Sequence, residues 1–228
     1  MSDPDNSVTL VITSCGRWEL LIKTIQSFLA FNTYPITKCI VIDDSGYQQS
    51  IEFLRSILRM PTLIIQNIIN LGQVPSVDIA YSLVDTKYIF HCEDDWEFFD
   101  YSFIEDSMDI LEKYPEICHV SLRAHDNNGH PHEPDLIDDK FHYLESEYLG
   151  IWSGFTFNPG LRRLSDYLKF KPYYRLNEVT PYTKKGGIAE MDIAIHYFKA
   201  GYRGVITKKV DGYVKHTGEG RHIPASWE

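Results

Sequence analysis

The sequence predicts an α/β fold: one domain built on a mainly parallel sheet with helices on both faces. Three observations carry this. Short apolar runs rich in β-formers recur at residues 8–13, 38–44, 62–66 and 87–96. The stretches between them carry apolar residues at the i, i+3, i+4 spacing of a helix. Strand–helix units repeated in this way join parallel strands by helical crossovers.

Residues 8–13 are apolar nearly throughout, as a central strand would be. Ser14-Cys15-Gly16 stops it, and a helix begins near Arg17 with Trp18, Leu21, Ile22, Ile25, Phe28 and Leu29 on one face. Asn32-Thr33-Tyr34-Pro35 ends that helix. The second strand closes on Asp43-Asp44, with Ser45-Gly46 as the turn. Residues 49–58 are expected to be helical with Ile51, Leu54, Ile57 and Leu58 inward, followed by a strand at 62–66 and a loop at 67–72. Pro75 suits the first turn of a helix through Val84, because its nitrogen has no hydrogen to leave unbonded. The fourth strand runs into three consecutive carboxylates, Glu93-Asp94-Asp95.

The second half is less regular and is expected to be an irregular, acceptor-binding half. A helix is expected at 101–114 and a strand at 117–122. Residues 123–139 are polar, hold Gly129, Pro131 and Pro134, and read as one long loop. Residues 140–149 alternate weakly, as an edge strand does. A turn-rich stretch follows, then a helix near 161–168 and a basic, aromatic segment at 169–187 that is expected to be mobile. A further helix is expected to turn Ile188, Met191, Ile195 and Phe198 inward, and short strands are expected at 204–207 and 210–214.

Composition narrows the function. The chain has 228 residues, 43% hydrophobic and 24% charged, enough apolar material for a core. Its net charge of −10 argues against tight nonspecific nucleic-acid binding, since there is no spare positive charge to displace counterions. There is no Walker-type phosphate loop and no GxGxxG, so neither an ATPase nor a dinucleotide enzyme is supported. Cys15, Cys39, Cys92 and Cys118 form no CxxC pair and read as thiols of a reducing compartment. The acidic first residues are no signal peptide, and no apolar run reaches membrane-spanning length. A soluble, cytoplasmic protein is expected, with no transmembrane segment and with peripheral membrane contact left open.

Three strands end in polar clusters: Thr13-Ser14-Cys15-Gly16-Arg17, Asp43-Asp44 and Glu93-Asp94-Asp95. In a parallel sheet such ends share one edge, where ligands collect. Three adjacent acids repel unless positive charge sits among them, and a hard divalent cation bridging carboxylates to a diphosphate supplies it. An Asp can accept a hydrogen bond from a pyrimidine N3–H. The competing reading of Glu93-Asp94-Asp95 is a solvated acidic turn.

These three elements, Val11-Ile12-Thr13-Ser14-Cys15-Gly16-Arg17, Ile40-Val41-Ile42-Asp43-Asp44-Ser45 and Tyr88 through Asp95, resemble the GT-A (Rossmann-like) glycosyltransferases, especially inverting family 2. The resemblance covers roughly the first hundred residues, expected to bind the nucleotide sugar, and isolated motifs afterwards. It implies that Asp44 contacts the base, with Thr13, Ser14, Cys15, Arg17 and Asp43 around the nucleoside. It implies that Asp95, last acid of a DXD-like element, binds Mn2+ or Mg2+. Glu93 stands where a strict DXD has Asp; it joins both the nucleotide-sugar set and the metal set, and Asp94 joins the nucleotide-sugar set.

In Ala189-Glu190-Met191-Asp192, Glu190 takes the place of the family's catalytic base, with Asp192 beside it; the plain alternative is two acids favoured in a helix's first turn. His216 ends a short strand where related enzymes carry a late metal-binding His, and Arg221 and His222 are candidates to reach the diphosphate. Trp152 lies where the family lines its sugar pocket. His130 and His132 look chelating but show no third ligand in sequence, and an acceptor-side lid is the preferred reading for them. The implied activity is metal-dependent inverting transfer from a UDP- or dTDP-sugar to a hydroxyl of a glycan or other acceptor. The alternatives are a sugar-phosphate nucleotidyltransferase, disfavoured by the short first loop, and a non-catalytic sugar- or nucleotide-binding module.

Overall fold

The computed structural model describes residues 6–48, 51–125, 131–145, 154–176 and 190–218. The strands are β1 Val8–Ser14, β2 Lys38–Asp43, β3 Thr62–Gln66, β4 Tyr88–Glu93, β5 Trp96–Phe98, β6 Ile117–Ser121, β7 His132–Ile137, β8 Phe141–Leu144, β9 Gly160–Arg163, β10 Arg203–Thr207 and β11 Val214–His216. The helices are α1 Trp18–Phe31, α2 Glu52–Ile57, α3 Gln73–Ser82, α4 Phe103–Lys113, α5 Leu164–Phe170 and α6 Glu190–Lys199.

The central sheet has the order β3-β2-β1-β4-β9, parallel except for β9, which runs antiparallel to β4. Successive residues of a strand point to opposite faces, and both faces of this sheet are covered. Leu10, Ile12, Val41, Phe90 and Cys92 pack with Leu21, Ile25 and Phe28 of α1 and with Phe103 and Ile104 of α4. Val11, Ile40, Ile42 and Ile89 pack with Val77 and Tyr81 of α3 and with Ile193, Ala194 and Tyr197 of α6. This explains why β1 reads as apolar throughout instead of alternating. Phe28 meets Phe98 edge-on at 5.3 Å and Phe90 lies 5.3 Å from Phe103, which closes the first layer.

Several expectations are corrected. The polar stretch 123–139 is not all loop: β7 forms within it. β8 is an internal strand between β10 and β7 in the second sheet, β6-β10-β8-β7, and β7 takes the edge. The segment after Gly160 is first a strand and then α5, because its first residues pair with β4. Tyr173 lies fully buried against α3, so the start of the basic, aromatic segment is part of the core. Helix α6 turns Ile193, Ala194 and Tyr197 inward with Asp192, while Met191, Ile195 and Phe198 are only half-buried. The last strand begins at Val214, after an exposed Val210. Residues 94–98 leave the β4 line to form β5, which pairs with β11.

Candidate active site

The register of the parallel strands assembles the site. Ser14 lies opposite Asp43, and Thr13 lies opposite Glu93. The three polar strand ends are therefore at one level on one edge, as the sequence predicts.

On the β2 side, both aspartates are buried and bound. The backbone N–H of Gly16 donates to Asp43 Oδ1 at 2.8 Å, and Ser45 Oγ donates to Asp43 Oδ2 at 2.6 Å. Gly16 adopts φ +72°, which is why a glycine follows Cys15 in this turn. Asp44 organises the 67–72 loop. Its Oδ1 accepts from Asn67 Nδ2 at 2.6 Å and from the Leu71 N–H at 2.9 Å, and its Oδ2 accepts from the Gly72 N–H at 2.7 Å. Asn70 Nδ2 donates to the Asp44 carbonyl at 2.8 Å and lies 3.5 Å from Cys15 Sγ. Asn67 and Asn70 were not singled out in the sequence; two asparagines inside a short loop beside an Asp-Asp strand end were the available signal.

On the β4 side, Arg17 sits among the acids. It donates from Nη1 to Asp95 Oδ2 at 2.8 Å, from Nε to Asp94 Oδ2 at 3.2 Å, and from Nη2 to Asp94 Oδ1. Ser14 Oγ donates to Asp94 Oδ2 at 2.9 Å. Burial still pushes the Asp94 carboxyl above its usual range, against the pull of Arg17. Thr24 of α1 pins the strand end, donating to the Asp94 carbonyl at 2.8 Å and accepting from the Trp96 N–H at 3.0 Å.

Asp95 is the distinct member. Its Oδ2 meets Arg17 and, at 3.2 Å, His216 Nε2. Its Oδ1 is buried and has no hydrogen-bond partner among the described residues. The Thr217 N–H and Oγ1 both donate to the Asp95 carbonyl, at 2.8 and 3.0 Å. Gly218 lies so close that an added Cβ would sit 2.2 Å from Asp95 Oδ2. A buried carboxylate oxygen left unpaired is costly, and a hard divalent cation, which takes carboxylate oxygen first and can add the neighbouring imidazole nitrogen, would relieve it. The residues therefore fit Mn2+ or Mg2+, with Asp95 and His216 as the residues that would hold it.

Glu93 is half-buried. Gln73 Nε2 of α3 donates to its Oε1 at 2.7 Å and Trp96 Nε1 donates to its Oε2 at 3.3 Å. Burial, then the neighbouring Glu190 and Asp95 charges, push its carboxyl up to about 8. Glu190, at the start of α6, thus comes to the same edge as the acidic strand end. Its Oε1 accepts from the Phe157 N–H at 2.5 Å and from Thr156 Oγ1 at 3.2 Å. Burial holds its carboxyl above the usual range. Arg162 supports this segment, donating from Nη2 to the Thr156 carbonyl at 3.1 Å. Asp192, in the first turn of α6, is fully buried.

Trp152, Arg221, His222 and His130 lie outside the described residues. The Trp96 ring lies tilted 5.0 Å from the His216 ring, with the Arg123 guanidinium 5.3 Å from its own ring.

The family profile described as glycosyl transferase family 2 matches residues 9–168. Among solved structures, a crystal structure of GalNAc-T7 with UDP, GalNAc and Mn2+ superposes with a TM-score of 0.67 at 10% identity, over 97% of this chain and 47% of that one. S. aureus TarS superposes at 0.62 with 12% identity, over 92% of this chain and 36% of that one. TarS 1-349 in complex with UDP does so at 0.62 and 12% identity, over 91% and 59%. This chain thus spans about half the length of these structures or somewhat more or less. No curated protein sequence matches it. The likeness in structure establishes the GT-A fold, and the profile covers well over half of the residues, from the first strand through most of α5: the chain belongs to glycosyl transferase family 2.

Proposed function

We propose that this chain catalyses metal-dependent, inverting transfer of a sugar from a UDP- or dTDP-sugar to a hydroxyl of a glycan or other acceptor. The observation that carries this reading is the orphaned Oδ1 of Asp95 beside His216, on the edge that also holds Asp43, Asp44 and Glu190. UDP in two of the similar structures, and Mn2+ in one, agree with it.

Each residue has a task in this reading. Thr13, Ser14, Cys15, Asp43 and Asp44 frame the nucleoside, with the 67–72 loop held in place by Asp44. Asp95 and His216 hold Mn2+ or Mg2+, which when bound acts as a Lewis acid on the diphosphate leaving group. Arg17 adds positive charge on the same side. Glu190 takes the proton from the acceptor hydroxyl as that oxygen attacks the anomeric carbon. A raised carboxyl suits a base working near neutral pH, and the Phe157 N–H fixes its orientation. Asp192 lies fully buried beside Glu190 in the first turn of α6. One displacement inverts the anomeric centre. The first hundred residues would thus serve the donor and the later ones the acceptor.

The test is nucleoside-diphosphate release from a panel of UDP- and dTDP-sugars, with Mn2+, Mg2+ or EDTA and with candidate glycan acceptors. Metal-dependent release lost in Asp95→Asn is expected. Wild-type release by Asp95→Asn, or release of pyrophosphate from a sugar phosphate and a nucleoside triphosphate, would overturn the reading.

A further inference from the structure

Three imidazoles converge in the second sheet. His125 follows β6, His132 opens β7, and His142 lies on β8. Their ring centroids are 4.6, 4.9 and 5.3 Å apart, and one ligand nitrogen of each lies within 4.8 Å of the others. Three imidazoles this close repel if charged, and their lone pairs repel if neutral. A divalent cation relieves both.

Backbone carbonyls hold two of the three rings. His125 Nε2 lies 2.6 Å from the Thr207 carbonyl of β10, and His142 Nδ1 lies 2.9 Å from the Glu133 carbonyl of β7. A ring nitrogen facing a carbonyl carries the proton. The lone pair of His125 is then on Nδ1, and that of His142 on Nε2. Fixing the tautomer through a backbone carbonyl is how metal-ligating histidines are oriented. The strand pairing points the same way. The β7–β8 register shifts between His132 and Leu136, and the carbonyl that holds His142 belongs to Glu133, inside this irregularity. Such breaks in a ladder re-aim side chains.

The donor set separates this cluster from the strand-end acids. It offers three nitrogens, and the nearby Glu133 carboxylate is engaged by Arg203 Nη2 at 2.8 Å. Mg2+ and Mn2+ prefer oxygen, whereas three neutral imidazoles suit Zn2+, with Zn–N distances of about 2.0–2.1 Å. We infer that His125, His132 and His142 form a Zn2+ site that ties the end of β6 to the β7–β8 hairpin, with water in the fourth position. The rings are half-buried at the surface and need to draw together by at most about 1.5 Å to reach tetrahedral spacing at those bond lengths.

The experiment uses the full chain without a histidine tag, stripped of metal and titrated with Zn2+ against a chromogenic chelator. One Zn2+ per chain is expected in the wild type and in Asp95→Asn, with binding weakened by about a hundredfold or more in His132→Ala/His142→Ala. Titration of the wild type with Co2+ gives a second readout that needs no variant: four-coordinate nitrogen ligation produces strong visible bands, and six-coordinate oxygen ligation does not. Failure of the wild type to retain Zn2+, equal binding by the double variant, loss of binding in Asp95→Asn, or a six-coordinate Co2+ spectrum would each overturn the inference.

Discussion

Arg17 bridges Asp94 and Asp95, with Nη1 2.8 Å from Asp95 Oδ2 and Nε 3.2 Å from Asp94 Oδ2. The positive charge that three adjacent acids require is supplied in part by the protein itself, from the turn that follows β1. Asp94 is satisfied in this way by Arg17 and Ser14 together. Asp95 is not, because one of its oxygens keeps no partner among the described residues.

Removing Arg17 leaves the buried Asp94 carboxylate without its counter-charge. Arg17→Ala should lower the stability of the metal-free protein by about 3–5 kcal/mol, the range for breaking a buried pair from one side. Added Mn2+ should bind the variant no more weakly than the wild type, since a competing cation has gone. Urea unfolding in EDTA and Mn2+ calorimetry check both halves. An unchanged urea midpoint would contradict the role given to this pair.

Asp44 carries a structural load beside any contact with a base. Asp44→Asn replaces one acceptor oxygen by an amide donor facing backbone N–H groups or Asn67. A loss of about 2–3 kcal/mol is expected from the groups left unpaired. Hydrogen exchange of the Leu71 and Gly72 amides should speed up. Protection equal to wild type there would show that the carboxylate does not hold the loop.

Glu93 makes stability depend on pH. In the unfolded chain it releases its proton near 4.5, and in the folded one near 8. Between these values the folded state binds more protons than the unfolded state, so this group's contribution falls as pH rises through that window. Glu93→Gln cannot ionise. In EDTA its melting temperature relative to wild type should therefore rise from pH 5 to pH 8. A constant difference across that range would contradict the raised carboxyl.

Glu190→Gln keeps the shape and the Phe157 N–H contact but removes the base. Turnover should fall by about 10²–10⁴-fold while UDP affinity is retained. Wild-type activity should lose its acidic limb at a pH above the ordinary carboxylate range, following the upward shift of Glu190. Titration of UDP into the variant, together with the pH profile of the wild type, separates a base from a residue that merely builds the pocket.

The edge strand β3, only partly buried, is legible from its run of β-formers, and β1, β2 and β4 because burial on both faces makes them continuous apolar runs bounded by turns. Their polar ends gave the site edge, since register follows from parallel pairing. Other features depend on contacts distant in sequence. β9 looked like the start of a helix until β4 paired with it, and β7 looked like loop because its edge position tolerates polar residues and Pro134. The inward face of α6 was misjudged because Asp192, a buried acid, breaks the apolar pattern. Pairing of Arg17 with Asp94 and Asp95 spans 77 and 78 residues and leaves no local trace. Likewise His132 gave a hint of chelation, but His125 and His142 join it only when β6, β8 and β10 assemble.

The most direct measurement is calorimetric titration of UDP and dTDP into wild type and Asp95→Asn, each with Mn2+ and with EDTA. The account predicts tight binding of at least one diphosphate to wild type only with Mn2+, and its loss in Asp95→Asn. Binding that ignores Mn2+, or that survives intact in Asp95→Asn, would contradict the assignment of the strand-end acids as a metal–diphosphate site.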